Sequence, residues 1–328
     1  MNRVLVAGAS GYAGALAAEL VRRHPSLELA RVTARTDAGK RLSELHPRYG
    51  VDLILEEPAA EHGEDVDAAI VAYPHGAAAP VVSALREQGV KVVDLSADFR
   101  LHDLETYRRW YGEHGAPDLL SDAVYGLTEL HRDRIAGAEL VANPGCYPTA
   151  SLLALAPLAA EGLIDDVVID AKSGVSGAGR AAAEEMAVVK DTDDTKPYKV
   201  AGHRHTPEIA QELDGAGSLT FVPHLMPYDQ GELVSCYVRT SEALDASRLL
   251  SLYQERYADE PFVELAAEPP GVSGVRETNL CRIHVALDEA SGRAMAFASI
   301  DNLWKGAASQ AIQNLNLMLG LPEGEGIS

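Results

Sequence analysis

Cysteine is scarce in this chain, and so are positive charges and long apolar runs. Three cysteines, Cys146, Cys236 and Cys281, stand in 328 residues. They make no CxxC pair and no even-numbered framework, so neither a disulfide scaffold nor a zinc site is suggested and no metal is expected. Lysine and arginine number 28 against 49 aspartates and glutamates, a formal net charge of −21. A surface of that sign repels phosphate backbones and argues against nucleic acid as a partner. No apolar run approaches the ~20 residues that span a bilayer, so no membrane is expected. The chain enters a strand at Arg3 without the charged and apolar regions of a signal peptide, which makes a cytoplasmic location the expectation. Internal repeats and low-complexity tracts are also missing.

What remains is an ordinary globular composition, 47% hydrophobic and 23% charged, in a chain long enough for roughly two domains of about 150 residues. The first half alternates short Val/Ile/Leu runs (Arg3 to Ala7, Leu27 to Thr33, Ala68 to Val71, Lys91 to Asp94) with helical patterns (Gly14 to Arg23, Ala77 to Gln88, Leu104 to Gly112). That alternation predicts an α/β unit, a Rossmann-type parallel sheet covered on both faces. After Cys146 a helix over Thr149 to Glu161 leads into strand-like runs at Val167 to Lys172, Leu219 to Val222, Leu233 to Arg239, Leu280 to Leu287 and Ala294 to Ile300. One further long helix, Ser247 to Tyr257, interrupts them, which reads as an α+β domain with a largely antiparallel sheet. Asp191 to Gly202 reads as an exposed loop, and a last helix is expected over Ala307 to Leu319. Cys236 and Cys281 fall in strand-like runs and read as core.

Between the first strand and the first helix stands Gly8-Ala9-Ser10-Gly11-Tyr12-Ala13-Gly14. Gly8 allows the tight turn, Gly11 lets backbone approach a pyrophosphate, and Gly14 permits close helix–strand packing, so the stretch reads as a dinucleotide turn. The spacing is GxxGxxG, and a plain glycine-rich turn is the alternative. An NAD site usually ends its second strand on Asp or Glu to hold the ribose 2′-hydroxyl, whereas this one ends Thr33-Ala34-Arg35-Thr36. Arg35 suits a 2′-phosphate, which predicts NADP(H) over NAD(H).

Asn143-Pro144-Gly145-Cys146-Tyr147-Pro148-Thr149 sets a cysteine at a turn immediately before a helix, whose amides and positive dipole end favour thiolate over thiol. A small buried hydrophobe is the bland alternative. A reactive thiol and a nicotinamide site in one chain point to acyl-group redox chemistry through a thioester, which needs an acid/base. His203-Arg204-His205-Thr206-Pro207-Glu208-Ile209 is the richest source of one; a solvated basic turn is its plain reading. Arg100, in Asp94-Leu95-Ser96-Ala97-Asp98-Phe99-Arg100, follows the carboxyl end of the fourth strand, where ligands of doubly wound sheets collect. Ser173-Gly174-Val175-Ser176-Gly177-Ala178-Gly179-Arg180 offers hydroxyls and closely spaced amides able to hold an anion. A cysteine hydrolase would leave Gly8 to Gly14 unexplained, and a nucleotide sensor would leave Cys146 without purpose.

Together with Lys305-Gly306-Ala307-Ala308, these stretches resemble the N-acetyl-gamma-glutamyl-phosphate reductases, within the wider aspartate-semialdehyde dehydrogenase-like group, nearly end to end. The resemblance implies NADPH-dependent reduction of N-acetyl-L-glutamyl 5-phosphate to the semialdehyde and phosphate, in arginine biosynthesis. It implies Cys146 as nucleophile and His205 as acid/base, with His203 beside it. Ser96, Arg100, His203 and Glu208 would meet the substrate. Gly8, Ser10, Gly11, Tyr12, Gly14, Arg35, Ser173, Gly174, Gly177 and Asn302 would meet the cofactor. It further implies that the C-terminal helix returns to the nucleotide domain (1–145 and 306–328, with 146–305 the catalytic and oligomerisation domain) and that the enzyme is a homodimer or homotetramer. A related branch reduces carrier-protein-linked aminoadipyl phosphate in lysine synthesis with the same thiol chemistry. One methylene is worth only ~1 to 3 kcal/mol, so the motifs leave that alternative open.

Overall fold

Short runs of Val, Ile, Leu and Ala that are buried on both faces have no use in a half-solvated sheet, and the first part of the chain supplies several of them. The computed structural model describes residues 1–180, 189–214 and 216–327. In it β1 (Asn2–Ala7), β2 (Leu27–Thr33), β3 (Ala68–Val71), β4 (Lys91–Asp94), β5 (Ala123–Tyr125) and β6 (Leu140–Ala142) form one sheet in the order β2-β1-β3-β4-β6-β5. Every neighbouring pair is parallel. All of β3 and the last four residues of β1 are buried, as strands covered on both faces require. Helices α1 (Tyr12–Arg23), α2 (Ala79–Glu87), α3 (Leu104–Tyr111) and α4 (Thr128–Ala136) connect the strands. The C-terminal helix, Ser309–Met318, packs against α1, α4 and β4. Two compact units result, Met1–Gly145 with Ala307–Ser328, and Cys146–Gly306.

The second unit is built around α5 (Cys146–Ala160), whose residues from Tyr147 to Leu158 are all buried. A helix apolar around its whole circumference belongs in a core, and α5 packs on two of the sheet strands, β10 (Glu232–Thr240) and β13 (Arg293–Ile300). Pro157 lies inside it and has no amide to give the Leu153 carbonyl. The Tyr257 hydroxyl donates to that oxygen, and Tyr253 donates to Ala154 O. The remaining elements are β7 (Ile164–Gly174), β8 (Lys196–Pro197), α6 (Thr206–Glu212), β9 (Ser218–Met226), α7 (Ala246–Tyr257), β11 (Val263–Leu265) and β12 (Cys281–Asp288). Strand order is β11-β12-β13-β10-β7-β9-β8. Among the described residues, four of the six neighbouring pairs are antiparallel, while β7 with β9 and β11 with β12 are parallel.

Several elements differ from their sequence-based expectation. Strands β5, β6 and β11 span three residues each, too few to display a period. The sequence of α4, Thr-Glu-Leu-His-Arg-Asp-Arg-Ile-Ala, carries no apolar stripe. The stretch Asp191 to Gly202 is not loop throughout, because Lys196 and Pro197 pair with Leu225 and His224 of β9. The helix expected from Thr149 starts three residues earlier, at Cys146, since Pro148 in its first turn needs no amide partner. The last helix begins as one π-turn, Trp304–Ala308, before α geometry takes over at Ser309. Cys236 and Cys281 are fully buried.

Candidate active site

In the first unit the turn between β1 and α1 is only Gly8 to Gly11. Gly8 has φ of 85°, and a Cβ there would lie 2.7 Å from Ala72 O, so a side chain is excluded twice. A Cβ on Gly14 would strike the Gly8 carbonyl oxygen and come within 2.9 Å of Ala9 Cα; helix packs directly on turn. Gly11 is different, with only Gly8 O near it, at 3.7 Å. Open space therefore lies over the backbone at the start of α1. No side chain caps α1, and its first turn holds no acidic residue. Free amides, the positive dipole end and a cradle that a Cβ would narrow are what a pyrophosphate needs.

His46 Nε2 lies 2.9 Å from Ser10 O, and its ring meets Tyr12 edge-on. Arg35 is exposed just past β2, its guanidinium 5.2 Å from the centre of the Tyr73 ring and donating to Ala77 O at 3.3 Å. Thr33 and Tyr73 share a hydrogen bond of 3.0 Å beneath it. The next carboxylate along the chain, Asp37, is buried and paired with Lys40 at 2.9 Å. A cation therefore occupies the surface position at the end of this strand, and these residues fit a 2′-phosphorylated dinucleotide.

Ser96 and Arg100 come together around Asp94. The Ser96 hydroxyl donates to Asp94 Oδ2 at 2.6 Å and its amide to Oδ1 at 3.0 Å. Asp94 is fully buried, and burial pushes its carboxyl up to about 7 although the bonds from Ser96 act the other way. Arg100 is buried too, donating Nε to Asn143 O and Nη2 to Leu95 O, each at 2.8 Å. Asn143 in turn donates to Ala307 O at 3.3 Å and accepts from Asn314 at 2.9 Å. Arg100 thus fastens the Asn-Pro-Gly segment that leads into Cys146.

In the second unit Cys146 is the first residue of α5 and is half-buried. Gly306 lies against it, for a Cβ at that glycine would sit 2.7 Å from Cys146 Cβ. Asp301 shapes this approach by accepting the amides of Glu277, Leu303 and Trp304 at 2.7, 2.9 and 3.1 Å, while Gly306 N donates to Asp301 O at 2.9 Å. Tyr147 donates to His224 O at 3.1 Å, and its ring meets His203 and His205 edge-on at 5.8 and 5.9 Å.

The two imidazoles have different surroundings. His203 is buried against Tyr147, Tyr198 and Phe221, and its Nδ1 accepts the His205 amide at 3.2 Å. Burial, with Lys199 and Arg204 adding to it, pushes His203 down to about 4, so it is neutral at pH 7. His205 is only half-buried, at the N-cap of α6, and Glu208 is buried in the first turn of that helix. Ser173, Gly174, Gly177 and Asn302 also converge. Asn302 accepts from Gly231 N at 2.7 Å and donates to Ser176 Oγ at 2.9 Å; a Cβ on Gly177 would lie 3.0 Å from Ser173 Oγ, and one on Gly174 2.7 Å from Asp229 O.

One group escapes sequence reading. Glu232, the first residue of β10, is completely buried, opposite Ser173 of β7 and Ile300 of β13. The polar groups that reach its carboxyl are the Cys146 thiol and the Ser173 hydroxyl, and neither oxygen completes a full hydrogen bond. Burial pushes this carboxyl up to about 8. A signal was available: Glu232 shares its strand face with Val234, Cys236 and Val238, all fully buried, and an acidic residue on the apolar parity of a strand breaks the local pattern.

Among the described residues no helix is long and apolar enough to cross a membrane. Residues 3–138 match the family model described as semialdehyde dehydrogenase, NAD binding domain, and residues 146–302 match semialdehyde dehydrogenase, dimerisation domain. The N-acetyl-gamma-glutamyl-phosphate reductase of Dehalococcoides mccartyi is 46% identical over 97% of this chain and 95% of its own. That of Syntrophobacter fumaroxidans is 45% identical over 100% of this chain and 98% of its own. Among solved structures, aspartate semialdehyde dehydrogenase II of Vibrio cholerae superimposes with a TM-score of 0.75 at 19% identity, covering 98% of each chain. The Candida albicans aspartate semialdehyde dehydrogenase with NADP gives 0.70 at 15% identity, over 97% of this chain and 98% of that one. These two structures share the fold; the family models and the relatives establish that the chain belongs to the N-acetyl-gamma-glutamyl-phosphate reductase family of semialdehyde dehydrogenases.

Proposed function

We propose that this chain reduces N-acetyl-L-glutamyl 5-phosphate to N-acetyl-L-glutamate 5-semialdehyde and phosphate with NADPH, a step of arginine biosynthesis. The observation that carries the reading is a half-buried thiol on the first residue of a buried helix, followed by a tyrosine that touches both imidazoles of the His203–His205 pair. Position at a helix N-terminus favours the thiolate. Cys146 attacks the acyl carbon, the carbon–oxygen bond to phosphate breaks, and phosphate leaves with the electron pair, so the acyl group is held as a thioester. Gly8, Ser10, Gly11, Tyr12, Gly14 and Arg35 of the first unit, and Ser173, Gly174, Gly177 and Asn302 of the second, are the residues that would hold NADPH, which would supply a hydride equivalent when bound.

His205 gives a proton to the hemithioacetal oxygen and takes it back as the carbon–sulfur bond breaks and aldehyde departs. His203 suits that task less, because burial holds it neutral and its Nδ1 is occupied by the His205 amide. Ser96, Arg100 and Glu208 serve the substrate side, with Arg100 also anchoring Asn143.

The test compares acetylglutamyl phosphate with carrier-linked aminoadipyl phosphate, using NADPH and NADH. Reduction of the first by NADPH is expected, with near-complete loss in Cys146→Ser; turnover of only the carrier-linked substrate would overturn the reading. The working form in this proposal is a cytoplasmic homodimer. Supporting it, Leu233, Tyr237, Met295 and Phe297 lie half-buried on the face of the second sheet opposite its fully buried residues Val234, Cys236, Ala296 and Ala298. Sedimentation at micromolar concentration separates dimer from tetramer.

A further inference from the structure

A thiol that must become a thiolate needs a place for its proton, and the second unit holds a group with no other evident use. We propose that Glu232 is the proton acceptor for Cys146: the carboxylate takes the thiol proton, and the resulting neutral acid donates it as a hydrogen bond to the thiolate. The S–H bond breaks, an O–H bond forms on Glu232, and the single negative charge passes from oxygen to sulfur. When the aldehyde leaves, the expelled thiolate recovers the proton. This rests on the reading of Cys146 as the nucleophile.

The geometry supports the pair in three ways. Glu232 is 0% exposed, on the first residue of β10, so water does not solvate its carboxylate. Neither carboxyl oxygen completes a hydrogen bond to the surrounding protein, which leaves capacity for an acid proton shared with sulfur, and the Cys146 thiol is within reach. A buried carboxylate without partners is costly. The groups that act on its charge are Cys146 from α5, Ser173 from β7 and Asp301 beyond β13. Tyr147, Tyr198 and Tyr228 face it as well, and each phenol is held neutral by burial with Glu232 adding to the effect. Burial holds the proton on this carboxyl up to about pH 8, so the ionised fraction that takes the thiol proton grows as pH rises toward 8, and once neutral the acid does not repel a thiolate beside it. Because the two sites interact, they titrate as a pair.

The experiment is the pH dependence of Cys146 alkylation by iodoacetamide in the full chain, followed by mass spectrometry, with substrate absent. Wild type is expected to show two ionisation steps, one of them near pH 8. Glu232→Gln should show a single step, with kcat down at least tenfold and KM changed less than threefold, and Glu232→Asp should restore two steps. An alkylation profile in Glu232→Gln that superimposes on wild type would overturn the proposal. Should Glu232→Gln fail to fold, infrared difference spectra of wild type and Cys146→Ala decide. The carboxyl C=O stretch of the buried acid must disappear at a different pH in Cys146→Ala, and an unchanged titration refutes the pairing. Alkylation reads the sulfur without turnover, so a chain that reduces no acyl phosphate would sink the functional reading and leave this one measurable.

Discussion

Gly306→Ala adds one methyl group at the point where backbone is pressed against the nucleophile, and the structure allows its effect to be worked out. The new Cβ would stand 2.7 Å from Cys146 Cβ and 3.3 Å from Cys146 Cα. Carbon atoms rest at ≈ 3.5–4.0 Å, so the two chains must separate by roughly 1 Å. Neither side yields easily. Cys146 begins a helix whose next twelve residues are buried, from Tyr147 to Leu158, and Gly306 is tied to Asp301 O at 2.9 Å. Overpacking of this kind costs about 1–3 kcal/mol. Position 306 lies inside the helical turn Trp304–Ala308, where alanine recovers ≈ 0.8–1.0 kcal/mol over glycine.

The net loss of stability in Gly306→Ala is therefore about 0–2 kcal/mol, small enough for the variant to fold. Catalysis suffers more, since displacing a reacting atom by 1 Å costs on the order of 10²-fold in rate. The assay is NADPH oxidation with acetylglutamyl phosphate, or the phosphate-dependent reverse reaction, beside a urea melt of the same preparation. A hundredfold fall in kcat with a melt near that of wild type is expected. Wild-type turnover in Gly306→Ala would refute the argument, because it would mean that Cys146 need not be held where Gly306 holds it.

Three further outcomes follow from other parts of the molecule. Tyr257→Phe removes the donor that serves the Leu153 carbonyl left open by Pro157, and a urea melt should show a loss of about 1–3 kcal/mol; no loss would mean that the carbonyl has another donor. His203 is depressed from 6.5 to about 4 in the folded chain, so the stability it contributes is whole above pH 6.5 and is lost as pH falls toward 4. Linkage puts that loss at roughly 3 kcal/mol, and melts at pH 7 and pH 4.5 should show a steeper acid loss in wild type than in His203→Asn. Arg35→Ala should raise KM for NADPH at least about tenfold, the worth of one hydrogen bond to a charged group, while KM for NADH stays within twofold; equal effects on both cofactors would contradict the placement of a 2′-phosphate beside Arg35.

The sequence by itself determined what local chemistry demands. Glycine at positions 8 and 14 is dictated by a positive φ and a helix–turn contact, and those demands are written in a seven-residue stretch. The short Val/Ile/Leu runs predict β1 to β4 because they alternate with helical patterns, as the strands of a parallel sheet do, and Pro148 marks the first turn of α5 because only there is its missing amide harmless. The three-residue strands carried no period to read, and the two residues of β8 take their place from β9. Only the tertiary structure decided what touches Cys146. Glu232 and Gly306 stand 86 and 160 residues away along the chain, and no spacing rule connects them to a thiol. Burial likewise separates His203 from His205, two residues apart in one motif. A pKa belongs to an environment, and that environment is assembled from strands and helices far apart in sequence.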